Sequence, residues 1–188
     1  MSIIDQKQYE LFKAVFGQYY QLLCNYAYNY TKDRDEAEDI VQEVFLRIWE
    51  KKRDMMGTET IRFYLFTAVR NNCLTLLDRK KKTTLLPAEE ITSAIVQPSE
   101  EHLVKPQVDE ISMIKRGLSL LPPKCKDAFL LSRIGNLSYK EIAEAMSISV
   151  KTVENQIGKA IKILRDFARE QKVFSLMLAC SIIYFLYC

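Results

Sequence analysis

The amino-acid sequence predicts an all-α fold: two small helical domains joined by a flexible acidic linker and followed by a hydrophobic tail. Three observations carry this. Five Gly and five Pro in 188 residues are too few for the many tight turns of a β-sandwich or barrel. Apolar residues recur at three- and four-residue steps through stretches that open on capping residues. Charge is segregated along the chain. Residues 1–82 carry 14 basic against 12 acidic side chains, 83–110 carry 1 against 6, and 111–172 carry 12 against 6.

Composition also limits the function classes. With 48% apolar and 27% charged residues, the chain has the hydrophobic mass for packed cores. The five cysteines, at 24, 73, 125, 180 and 188, form no CxxC, and His102 is the single histidine, so the ligand spacings of a zinc site are missing. No cofactor is expected. The start MSIIDQKQYE lacks the basic and apolar regions of an export signal, which predicts a cytoplasmic protein with reduced thiols. No phosphate-cradling glycine loop, nucleophile–base pair or metal cluster stands in the sequence, so an enzyme is not expected.

The first helical block runs from Asp33 to Lys52. Asp33 caps the free backbone amides and Glu36, three residues on, is placed to reach back. Ala37, Ile40, Val41, Val44, Phe45, Ile48 and Trp49 form one stripe at about 100° per residue and are expected in the core. The opposite face groups Asp35, Asp39, Gln42, Glu43 and Glu50 around Leu46. An apolar centre rimmed by carboxylates suits a basic protein surface, the leucine anchoring and the acids orienting.

The second block, 61–82, repeats apolar positions at Ile61, Leu65, Ala68 or Val69, Cys73 and Leu76 or Leu77, and ends in Arg79-Lys80-Lys81-Lys82. One or two of these cations complement a helix dipole. Four in a row point to phosphate, and Phe63, Tyr64 and Phe66 upstream either stack on unpaired bases or belong to the core. Asn71 and Asn72 are weak helix formers that either occupy a polar face or hydrogen-bond base edges. The linker is placed at 83–110, which holds three of the five prolines and no sustained helical period.

The third block, 118–165, carries the most specific signal. Pro122-Pro123 opens a helix through Cys125, Ala128, Phe129, Leu131 and Ile134, and Gly135-Asn136 closes it with residue types that tolerate a left-handed cap. Ser138-Tyr139-Lys140-Glu141 is a capping box opening a short helix, Ser147-Ile148-Ser149 is a tight turn, and Ser149 caps the next helix. In that helix Val150, Val153, Ile157, Ala160, Ile161 and Leu164 form the expected buried stripe. Lys151, Thr152, Asn155, Lys159 and Lys162 share the outer face, with Gln156 at its edge. This is a helix-turn-helix, whose second helix enters the major groove. Thr152 and Asn155 are the expected base readers, and the lysines neutralise phosphates.

Taken in order, these blocks resemble a bacterial sigma factor of the small extracytoplasmic-function (ECF) group, sigma-70 family, through about residue 172. Asp35 to Trp49 is similar to the region 2 helix that grips the polymerase clamp. Leu65 to Leu77 is similar to the helix that opens and reads the −10 element, with Asn71 at the family's usual asparagine. Leu121 to Arg165 resembles region 4, which reads the −35 element. The resemblance implies core RNA polymerase and promoter DNA as partners, and an anti-sigma factor as regulator. It implies domains at 1–82 (region 2) and 111–172 (region 4). Polymerase binding would fall to Asp35, Asp39, Gln42, Glu43 and Leu46. The −10 strand would fall to Phe63, Tyr64, Phe66, Asn71, Asn72, Arg79 and Lys80, and the −35 duplex to Lys151, Thr152, Asn155, Gln156, Lys159 and Lys162. Thr75 stands where the family often has an acid, Asp78 where a base is common, and Ser147 replaces the frequent turn glycine. A stand-alone helix-turn-helix regulator is the alternative, but it leaves Leu46 and the second block without work.

Residues 173–188, VFSLMLACSIIYFLYC, are apolar apart from two serines. As a helix they would reach about 24 Å, short of the roughly 20 residues that span a bilayer. Packing on the protein's own domains or on a partner is expected ahead of membrane contact.

Overall fold

The computed structural model describes residues 3–84 and 110–170. Most of the linker, the hydrophobic tail and His102 lie outside the described residues. Those residues form seven α-helices, α1 (Ile3–Thr31), α2 (Arg34–Lys51), α3 (Ile61–Thr84), α4 (Glu110–Ser119), α5 (Pro123–Arg133), α6 (Tyr139–Met146) and α7 (Val150–Glu170), with one 3₁₀ turn at Arg53–Gly57. They divide into two units, the first built on α1–α3 and the second on α4–α7. Among the described residues no helix is long and apolar enough to cross a membrane.

In the first unit α1 packs along both α2 and α3. It ends where Lys32 enters the left-handed region at φ 58°, and its amide still donates to Tyr28 O at 3.1 Å. Asp33 then opens α2, its side chain accepting from the Glu36 amide at 3.0 Å. Glu36 itself does not complete the expected capping box. The Asp33 amide donates to Thr31 Oγ1 at 3.3 Å, and the Glu36 carboxylate takes the Lys80 ammonium of α3 at 2.7 Å. A full charge from another helix outcompetes a local amide already supplied with an acceptor.

The expected α2 stripe is buried from Ala37 to Ile48. It meets Leu23, Tyr26 and Ala27 of α1 and Leu65, Phe66, Val69 and Cys73 of α3 in a core where each is under a tenth exposed. Burial of each large side chain contributes about 1.5–3 kcal/mol. Trp49, the last of the stripe, is only half-buried: Phe12 meets its ring edge-on at 5.1 Å and the Arg53 guanidinium covers it at 4.4 Å. Cys24, Cys73 and Cys125 are buried and not joined in a disulfide.

In the second unit α4 crosses α7 closely. A Cβ on Gly117 would stand 3.2 Å from Leu164 Cδ2 and 3.3 Å from the Phe167 ring, so glycine sets the approach of the two helices. Leu121, Cys125 and Ala160 form the centre beneath, flanked by Leu118, Phe129, Ile163 and Leu164.

Candidate nucleic-acid and partner interfaces

α2 presents the acid-rimmed face as expected. Leu46 is 60% exposed, more than any other large apolar side chain of the described residues, and Asp35, Asp39, Gln42, Glu43 and Glu50 around it are exposed. Two of the rim residues are held. Gln42 Nε2 donates to the Tyr20 hydroxyl at 3.5 Å, and Glu43 accepts from Arg47 at 2.7 Å. The Gln42 bond pulls the Tyr20 pKa down, but burial and the neighbouring Cys24 outweigh it and the net direction is up.

On α3, the helical rotation brings Phe63, Tyr64, Asn71 and Asn72 to the wall of one shallow cavity of about 260 Å³, completed by Thr67, Ala68 and Arg47. On two of these residues, Thr67 Oγ1 and Asn72 Nδ2 are buried without a hydrogen-bond partner among the described residues, each at a cost of about 1–3 kcal/mol. The Lys52 ammonium lies 5.0 Å from the Tyr64 ring centroid, adding a cation beside the wall. Thr75, one turn on from Asn71, spends its hydroxyl on the Asn71 carbonyl at 2.9 Å.

Phe66 is a correction. It is fully buried, edge-on to Tyr26 at 5.4 Å, because α3 is covered on that side by α1. It belongs to the core and not to a base platform. Of the basic run, Arg79, Lys81 and Lys82 are exposed, while Lys80 is the partner of Glu36. Arg47 and Thr67 were missed in the sequence. Each lies one helical turn from a residue that was singled out, Glu43 and Asn71 respectively, and that spacing was the available signal.

The helix-turn-helix forms as expected. The Ser138–Glu141 capping box is complete, with Glu141 accepting from the Ser138 amide at 2.7 Å and Ser138 from the Glu141 amide at 3.3 Å. Asn136, three residues past the end of α5, takes the left-handed region at φ 46°, and Ser147 ends α6 in the same region at φ 54°, ψ 47°. Ser149 caps α7 by accepting from the Thr152 amide at 3.1 Å. Its hydroxyl also pairs with the Thr152 hydroxyl at 2.8 Å, so the cap holds that side chain.

On α7, Asn155, Lys159 and Lys162 are exposed, and Lys151 is exposed but paired with Glu154 at 2.9 Å. Gln156 is half-buried, its Oε1 without a partner among the described residues. Val150, expected in the buried stripe, is 38% exposed, because the first residue of the helix lies beyond the reach of the core that takes Val153 and Ile157. The outer face continues past Lys162 to Arg165 and Arg169 along a concavity of about 480 Å³, two cations that were not singled out in the sequence.

The family descriptions "Sigma-70 region 2" and "Sigma-70, region 4" match residues 15–83 and 111–164, 69 and 54 residues in that order on one chain of 188. The chain belongs to the sigma-70 family. The chain matches several sigma factors over most of its length. It is 24% identical to the RNA polymerase sigma factor YlaC of Bacillus subtilis over 82% of this chain and 90% of that one. It is 26% identical to the ferric citrate uptake sigma factor FecI of Escherichia coli over 80% and 87%, and 27% identical to the ECF sigma factor SigL of Mycobacterium tuberculosis over 82% and 87%. The fold is similar to that of the sigma factor RpoE of Bartonella quintana, solved with the anti-sigma factor NepR, at TM-score 0.58 and 20% identity over 88% of this chain and 96% of that one. This sigma factor is of the ECF group, a transcription initiation factor that directs RNA polymerase to promoters. Its region 2 holds Leu46 and the α3 cavity, and its region 4 holds the helix-turn-helix.

Proposed function

We propose that this sigma factor docks on core RNA polymerase through Leu46 and its rim of Asp35, Asp39, Gln42 and Glu43, captures an unpaired base of the −10 element in the α3 cavity, and reads the −35 duplex with α7. The observation that carries the reading is the cavity itself, where the rings of Phe63 and Tyr64 and the amides of Asn71 and Asn72 share one wall. Such a site offers stacking surface from the two rings and hydrogen bonds from the exposed Asn71 amide to a flipped base. Asn155, Gln156 and Thr152 meet base edges. Lys151, Lys159 and Lys162, with Arg79 of α3, meet phosphates.

The division of labour follows domains at 1–82 and 111–172 joined by the 83–110 linker. The work is positional: binding energy holds duplex and melted strand while the polymerase performs the chemistry, so the chain itself uses no cofactor. Its place of action is the cytoplasm, and an anti-sigma factor is its regulator, as NepR accompanies the structural neighbour. A stand-alone helix-turn-helix regulator would leave both the 60% exposed Leu46 and the cavity idle.

The test is binding of the full chain to bacterial core RNA polymerase beside a Glu43→Lys, Leu46→Ala variant. Tight binding that falls at least about tenfold in the variant is the expected outcome. Equal affinities would remove the α2 face from the interface, and no binding by the parent chain would overturn the polymerase reading.

A further inference from the structure

We propose that Arg47, a residue of the polymerase-binding helix, is the phosphate ligand of the α3 cavity. This rests on the cavity being the site of the unpaired base. Six of the seven lining residues, Phe63, Tyr64, Thr67, Ala68, Asn71 and Asn72, come from α3 and none of them is charged. Arg47, from α2, is the seventh. A nucleotide has a neutral half and an anionic half, and the cavity is divided in the same way. The aromatic and amide interior takes the base, and the single cation of the lining meets the phosphate that follows it.

The guanidinium is held at one nitrogen only. Glu43 accepts from one of its terminal nitrogens at 2.7 Å, one helical turn away on the same face. A guanidinium presents five N–H donors, so one occupied nitrogen fixes its plane and leaves donors for a phosphate oxygen. Arg47 keeps 44% of its side chain exposed in this pose, as a ligand awaiting its anion must. Glu43 is therefore a positioning residue as well as part of the acidic rim. Its 61% exposure leaves it open to a cation of the partner surface, which would offset its charge next to the incoming strand.

The experiment uses holoenzyme assembled from the full chain and core RNA polymerase. The probe is a duplex, pre-melted over its −10 segment, selected from random-sequence DNA by the unaltered holoenzyme. Affinity is followed against salt for Arg47→Ala, Arg47→Lys and Asn72→Ala, with core affinity measured alongside. Arg47→Ala is expected to weaken binding about tenfold on every selected sequence. It should also lower the slope of log affinity against log salt by about 0.7, one phosphate contact on a single strand. Arg47→Lys keeps the slope, and Asn72→Ala keeps it too while shifting base preference at one position. An unchanged slope in Arg47→Ala with the Asn72→Ala shift present overturns the assignment and leaves the cavity reading standing, whereas absence of both effects overturns the two together. A fall in core affinity as large as the fall for DNA also overturns it, because Arg47 would then belong to the polymerase contact.

Discussion

The Lys80 ammonium near the end of α3 lies 2.7 Å from the Glu36 carboxylate in the first turn of α2, a bond between helices 44 residues apart in sequence. It fastens the base of the basic run to the helix that carries Leu46. Both side chains keep solvent contact, 48% for Lys80 and 32% for Glu36, so the pair is worth no more than about 1 kcal/mol. Lys80→Met should lower the unfolding free energy by that amount or less in dilute salt. The difference should vanish near 1 M salt, where the screening length is about 3 Å. Paired denaturation curves at the two salt concentrations check this.

Phe66 and Phe63 lie three residues apart on α3 and divide between core and cavity. Phe66→Ala removes a fully buried ring and is expected to cost about 3–5 kcal/mol. Phe63→Ala, half-buried at the cavity wall, should cost far less stability and lose promoter affinity. Thermal unfolding and promoter binding measured on both variants separate the two roles.

Ser147 occupies the left-handed region that a glycine adopts without a Cβ penalty. Ser147→Gly is expected to stabilise the region 4 unit by about 0.5–1 kcal/mol, seen as a higher midpoint in urea with an unchanged slope. A lower midpoint would show that the serine side chain contributes more than its backbone strain costs.

Burial pushes the Cys24 thiol upward, against a lowering hydrogen bond from Tyr20 and with a further push from Glu38. A folded value above the unfolded one means that the native state binds the proton more tightly. Its contribution is complete below the unfolded thiol value and is lost as pH rises through the folded one. Unfolding free energy should therefore decline through the alkaline thiol range, and Cys24→Ala should flatten that part of the curve.

α2 was legible because its two faces differ in kind. Leu46 stands alone among carboxylates, and a helix at 100° per residue leaves it no route into the core. The caps of α6 and α7 were legible because Ser138, Glu141 and Ser149 act over three residues, a range that sequence displays directly. α1 was not read. It packs against α2, α3 and the 3₁₀ turn together, so Phe12, Phe16, Tyr20, Leu23, Tyr26 and Ala27 spread over a wide arc and blur the single stripe that marks an amphipathic helix. Phe66 was misplaced for the same reason, since the ring that buries it, Tyr26, comes from that unread helix. Glu36 was assigned to a local cap because its partner, Lys80, is distant in sequence. The cavity residues were found as types, and their convergence with Arg47 needed the crossing of α2 and α3.

The close crossing at Gly117 gives α7 the mechanics of a lever. Its far half is clamped where α4 meets Leu164 and Phe167, while Asn155 lies about 13 Å nearer the end that packs on α6, at about 1.5 Å per residue. A Cβ added at the clamp requires Leu164 or Phe167 to give by a few tenths of an ångström, a change of seat that the rod carries along its length. Substitutions at the fulcrum are therefore expected to re-seat the outer face of α7 with every residue of that face left as it was.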